Sequence, residues 1–162
     1  MNTKKLTKLA MLTTLALIMF IIELQIPNPV PIPGVKLGLA NIVTVYAVYH
    51  YRAGEVCMLV AARIILGAIF SGNMIAILYS LTGGMLCLAG MLLLRKSISE
   101  KYIWVCSVMG AVLHNIGQIA VAVVITGTAA IIAYLPFLLV SGCIAGAFTG
   151  VCAQMLIERS RR

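Results

Sequence analysis

The 162-residue sequence contains no aspartate, and its four glutamates, Glu23, Glu55, Glu100 and Glu158, are scattered along the chain. An enzyme that grips a diphosphate through magnesium needs clustered carboxylates around the metal, so this chain has no means of such catalysis by itself. It also lacks a GxxxxGK[ST] loop, which excludes ATP hydrolysis of the P-loop kind; any energy coupling has to come from a partner or an ion gradient. The five cysteines (Cys57, Cys87, Cys106, Cys143 and Cys152) stand singly, without CxxC spacing or a neighbouring histidine. They predict small apolar packing residues rather than a metal site or a disulfide framework. No cofactor is expected.

Charge of either sign is scarce, at 10% of residues against roughly 25% in an ordinary soluble domain. Hydrophobic residues make up 62%, too large a share for a water-soluble fold to hide. At about 20 residues per span, the length predicts an all-α integral membrane protein, one transmembrane domain of six helices with nothing left for an extramembrane catalytic domain. The net charge of +8 does not indicate nucleic acid, because the basic residues sit in short breaks between apolar runs and form no stripe on a polar face.

The apolar runs place spans at 7–26, 37–51, 54–70, 73–94, 102–126 and 129–156. The second and third are short and nearly contiguous, which admits a tilted or re-entrant segment, or a single kinked helix and five spans in total. The positive-inside rule separates these readings. With six spans, Lys4, Lys5, Lys8, Arg52, Arg95, Lys96, Lys101, Arg159, Arg161 and Arg162 share one side, leaving Lys36 opposite and Arg63 within a span. Five spans would split those clusters. The expectation is therefore six spans in a bacterial cytoplasmic membrane, with both termini cytoplasmic. The basic start followed by apolar residues resembles a secretory signal, but no small-x-small cleavage site follows, so the segment reads as a retained first helix.

Polar residues at membrane depth are costly and are the functional candidates. Arg63 lies mid-span among apolar neighbours, either as a counter-ion for a ligand or as a structural or snorkelling residue. Glu23, near the outer end of the first helix and about 10 Å from Arg63 in depth, offers an ion pair as the plain explanation for both. In the fifth span, His114 and Gln118 are four apart and share a face that Asn115 widens. They line a pocket or tie helices together; the set falls short of a zinc site. In the last span Gly142, Gly146 and Gly150 recur at four-residue spacing, with Ser141, Ala145 and Thr149 alongside, which predicts close helix packing within the bundle or against a partner. Between the first two spans, a run carrying Pro29, Pro31, Pro33 and Gly34 is stiff and extended, as a lid or merely as a connection.

The stretch Pro33-Gly34-Val35-Lys36-Leu37-Gly38-Leu39-Ala40-Asn41-Ile42 resembles the signature of the Gx transporter family, a name that overlaps with the older label heptaprenyl diphosphate synthase component I. The resemblance covers essentially the whole chain and extends to the substrate-binding S components of energy-coupling factor (ECF) transporters. It implies a six-helix bundle that binds a vitamin-, flavin- or isoprenoid-related solute near the outer face, gated by the first loop. It also implies a transmembrane coupling subunit and cytoplasmic ATPases as partners. The docking pair on the first helix falls on Ala10 and Thr14, a departure from the usual two alanines. The older label implies instead a non-catalytic membrane subunit associated with heptaprenyl diphosphate synthesis; a scaffold in a membrane complex is the reading left if neither holds. The expected site is a pocket lined by Glu23, Asn41, Arg63, His114, Asn115 and Gln118, with Lys36 at its rim, suited to a ligand with an anionic group.

Overall fold

A computed structural model describes residues 3–26 and 37–160. Within them the chain forms α1 (Thr3–Gln25), α2 (Leu39–His50), α3 (Ala53–Ser71), α4 (Ala76–Leu94), α5 (Ile103–Thr126) and α6 (Leu135–Ser160). Short 3₁₀ turns at Glu100–Tyr102 and Ala129–Tyr134 lead into α5 and α6. The expected sixth span, 129–156, is therefore a 3₁₀ entry followed by an α-helix that runs on to Ser160. The fourth starts at Ala76 rather than 73, because the Asn73 side-chain carbonyl accepts the Ala76 N–H (3.1 Å) and holds a turn there.

Five of these helices are long and apolar enough to cross a membrane; α2, with 12 residues, is not. At 1.5 Å per residue α2 is about 18 Å long, against a hydrocarbon core of about 30 Å. The expected span 37–51 is thus a helix, but a short one, and protein rather than lipid surrounds it. Ala40, Ile42, Val43, Thr44, Val45, Ala47 and Val48 are all buried. Both ends are satisfied by charged groups from other helices. The Glu23 carboxylate accepts the Gly38 N–H (2.6 Å) and the Leu39 N–H (3.1 Å) at its start. At its finish the Arg95 guanidinium donates to the carbonyls of Val48 and Tyr51. The unpaired amides and carbonyls of a helix end are costly where water is scarce, and a carboxylate at the N-terminus with a cation at the C-terminus also suits the helix dipole. Gly38 makes the entry possible, with φ of 73°, a left-handed conformation that a side chain would strain.

The basic residues gather at one end of the bundle. Lys5 of α1 pairs with Glu55 of α3 at 2.7 Å, Arg95 reaches the last carbonyls of α2, and Gln154 of α6 donates to the Lys101 carbonyl at 3.0 Å. Lys4, Lys8 and Ser160 border the same region. Glu55 also accepts the Arg52 N–H (3.0 Å), closing the first turn of α3. Opposite lies the end where α1 finishes beside Gly38.

The tightest packing joins α5 and α6. A Cβ placed on Gly146 would come within 2.9 Å of the Val108 Cα, and one on Gly150 within 2.5 Å of the Trp104 Cα, so backbone meets backbone. The glycine stripe of α6 faces α5 inside this chain.

Candidate functional site

A cavity of about 150 Å³ opens among all six helices. Its lining includes Glu23, Asn41, Arg63, His114, Asn115 and Gln118, so the six candidates within the described residues all border one space. Lys36, Pro29, Pro31, Pro33 and Gly34 lie outside the described residues.

Arg63 is half-buried and donates from Nη1 to Asn41 Oδ1 at 3.3 Å. A guanidinium carries five N–H donors, so one bond to a neutral amide leaves most of that donor capacity available. The ion pair with Glu23, the plain explanation that their shared depth offered, is not formed, whereas Lys5 does pair with Glu55. Glu23 is instead committed through both oxygens to the start of α2. Two backbone donors with no acceptor in their own helix claim the carboxylate, and Asn41 in the first turn of that helix takes its place beside Arg63. Glu23 therefore positions Asn41 and, through it, Arg63. Glu23→Ala is expected to destabilise the purified protein by about 3 kcal/mol, the sum of two charge-assisted bonds, and Glu23→Gln by roughly half as much because one carbonyl acceptor survives. Denaturant titration in detergent reads both; equal losses from the two variants would deny the capping role.

The α5 residues divide. Asn115 is buried and donates from Nδ2 to the Leu138 carbonyl of α6 at 2.5 Å, so it ties helices as well as bordering the cavity. Gly142 makes room for that amide, since a Cβ there would collide with Asn115 Nδ2. His114 and Gln118 are half-buried and pack against Gly83 of α4, where a Cβ would stand 2.7 Å from the His114 carbonyl oxygen and 3.0 Å from Gln118 Cγ.

Sequence reasoning passed over several lining residues. Ser107 shares a buried hydroxyl bond of 3.1 Å with Thr149, which the sequence offers only as a packing residue beside the α6 glycines, and Ser71, Ser80 and Phe20 complete other parts of the wall. Ser107, Ala111, His114 and Gln118 recur at helical spacing, so one stripe of α5 carries Ser107 to the same cavity as the pair that was recognised. Phe20 has a subtler signal in Gly67, whose missing side chain leaves space for the ring; a Cβ there would be 3.0 Å from Phe20 Cε1.

Ala10 and Thr14 lie elsewhere, exposed on the outer face of α1, with the Thr14 hydroxyl donating to the Ala10 carbonyl at 3.0 Å. Among the described residues no group of three or more His, Cys, Asp or Glu is arranged to hold a metal ion. The cavity presents a cation, amides, an imidazole and hydroxyls, a set that favours an anionic or strongly hydrogen-bonding ligand.

No curated protein and no solved structure matches the chain. The family model of heptaprenyl diphosphate synthase component I matches residues 12–156, nearly the whole described bundle. This chain belongs to the heptaprenyl diphosphate synthase component I family.

Proposed function

We propose that the chain is a non-catalytic membrane subunit that binds a small solute through an anionic group in the cavity around Arg63. The observation that carries this reading is a guanidinium in the middle of a membrane-length helix, facing a cavity with only a neutral side-chain partner. A charge in that position is expensive unless something uses it.

Family membership supports a place beside prenyl diphosphate synthesis, because a component I implies a further component, and a chain without aspartate leaves the metal-dependent chemistry to that partner. A space of about 150 Å³ is of the size that holds one small aromatic ring, so it suits a head group or a short precursor. A polyprenyl tail would lie outside it, along the lipid.

A second reading, an ECF-like substrate-binding component for a vitamin-, flavin- or isoprenoid-related solute, draws on the six-helix layout, while the pair Ala10 and Thr14 exposed on the first helix departs from the usual two alanines. It would work with a transmembrane coupling subunit and cytoplasmic ATPases. Under either reading the basic end and both termini face the cytoplasm of a bacterial cell, by the positive-inside rule.

Affinity purification from gently solubilised membranes separates the two. The synthase-subunit reading expects a soluble prenyl diphosphate synthase to co-purify and its product formation to change when this chain is removed. Recovery of a coupling subunit with two ATPases instead, and an unaffected synthase, would overturn it in favour of transport.

A further inference from the structure

We propose a second ligand site, at the basic end of the bundle and distinct from the Arg63 cavity, that takes the phosphate or diphosphate head group of a membrane amphiphile. An open groove of about 700 Å³ lies there between the first turns of α1 and the corner where α2 meets α3. Lys4, Lys5 and Lys8 line it from α1, and Tyr46, His50 and Tyr51 line it from the corner. It shares no lining residue with the Arg63 cavity.

The charge in this groove is incompletely balanced. Glu55 neutralises Lys5 at 2.7 Å, whereas Lys4 and Lys8 have no ion-pair partner among the described residues. These two stand one helical turn apart, where like charges repel. They also occupy the start of α1, whose first turn contains no acid, so their charges add to the positive end of the helix dipole rather than opposing it. A phosphate seated between them relieves both penalties. Topology alone accounts for lysines at this end of the bundle; it does not require them to converge on one concavity.

The remaining walls indicate an amphiphile. Tyr46 and His50 stack at 4.2 Å with an interplanar angle of 15°, and Lys5 Nζ lies 5.9 Å from the centre of the Tyr51 ring. Rings of this kind sit at the level of lipid head groups. Met11 and Leu12 continue the groove toward the membrane interior. Beyond them Met11 and Leu15 are 68% and 45% exposed on the flank of α1, a path along which an acyl or prenyl chain can lie. Phosphate above and hydrocarbon below is the pattern of a phosphate-headed lipid, and basic pockets between membrane helices bind such head groups.

Native mass spectrometry of the detergent-solubilised full chain tests the site with three probes: phosphatidylglycerol, farnesyl diphosphate and the zwitterionic phosphatidylcholine. Wild type should retain at least one of the first two in preference to the third. The variant Lys4→Gln/Lys8→Gln should bind the retained probe roughly 30-fold more weakly, the loss expected for two lysines at a membrane surface. Lys96→Gln/Lys101→Gln, which removes the same charge from the same end outside the groove, should bind like wild type. Stronger retention of phosphatidylglycerol identifies the ligand as bulk lipid, and stronger retention of farnesyl diphosphate identifies it as a prenyl diphosphate; both uphold the site. Equal weakening by the two lysine pairs, equal retention of phosphatidylcholine, or loss of binding with Arg63→Met alone would overturn it. That last result would also leave the Arg63 cavity standing as the binding site, so the two proposals fail separately.

Discussion

Replacing Arg63 by methionine should weaken binding of the anionic solute by at least about 30-fold while leaving the empty protein as stable as before, or more so. The proposed role predicts this binding loss, because a guanidinium can give two charge-assisted bonds to an anionic group, each contributing roughly 1.5–3 kcal/mol. The stability gain follows from the cost of a guanidinium at the centre of a membrane helix, about 2.5–3.5 kcal/mol on insertion scales. Methionine keeps a long flexible side chain of similar reach and removes that cost. The Arg63 bond to Asn41 Oδ1, at 3.3 Å, is long and made to a neutral group, so little native stabilisation goes with it. A purely structural Arg63 predicts the reverse pattern, a loss of about 1–3 kcal/mol in the empty protein and unchanged ligand affinity. Unfolding of the detergent-solubilised variant with and without solute distinguishes the two.

The second large effect concerns the α5–α6 contact. Gly150→Leu should cost more than about 3 kcal/mol and abolish the folded, monodisperse form, because a Cβ at this position already falls 2.5 Å from the Trp104 Cα and 2.8 Å from Ser107 Cβ. Backbone on the far side cannot step away as a side-chain tip can. Separation of α6 from α5 also removes the Asn115 bond to the Leu138 carbonyl and the Ser107 to Thr149 pair, both of which border the cavity. The matched control is Gly54→Ala, where a Cβ meets nothing within 4 Å and the helix should gain about 0.5–1 kcal/mol. Size-exclusion profiles and thermal unfolding compare them; a monodisperse, stable Gly150→Leu would show that the glycine stripe is not what sets the approach of these helices.

The helices were legible in the sequence because long apolar runs separated by short basic breaks have few other uses. The grouping of Lys4, Lys5, Lys8, Arg52, Arg95, Lys96, Lys101 and Arg159 was legible for the same reason. What each charge does locally was not. Arg95 reads as a topology residue, yet it closes the end of a helix that begins more than fifty positions earlier. Glu23 reads as the partner of Arg63 because the two share a depth, and depth says nothing of the backbone donors that α2 brings closer. Both local roles come from α2: its length is visible in the sequence, but its burial at the centre of the bundle depends on all the other helices. In the site, ionisable and amide groups announced themselves by their cost in a membrane. Ser107, Ser80 and Ser71 did not, because a serine in an apolar helix can satisfy its hydroxyl on its own backbone and carries no such penalty.

The central claim, that the cavity around Arg63 holds an anionic small solute, is tested most directly by native mass spectrometry of wild type and Arg63→Met purified side by side from the same membranes. The account predicts a small, discrete mass adduct on wild type that carries an anionic group and is absent from Arg63→Met. An adduct of equal mass and occupancy on both proteins would contradict it.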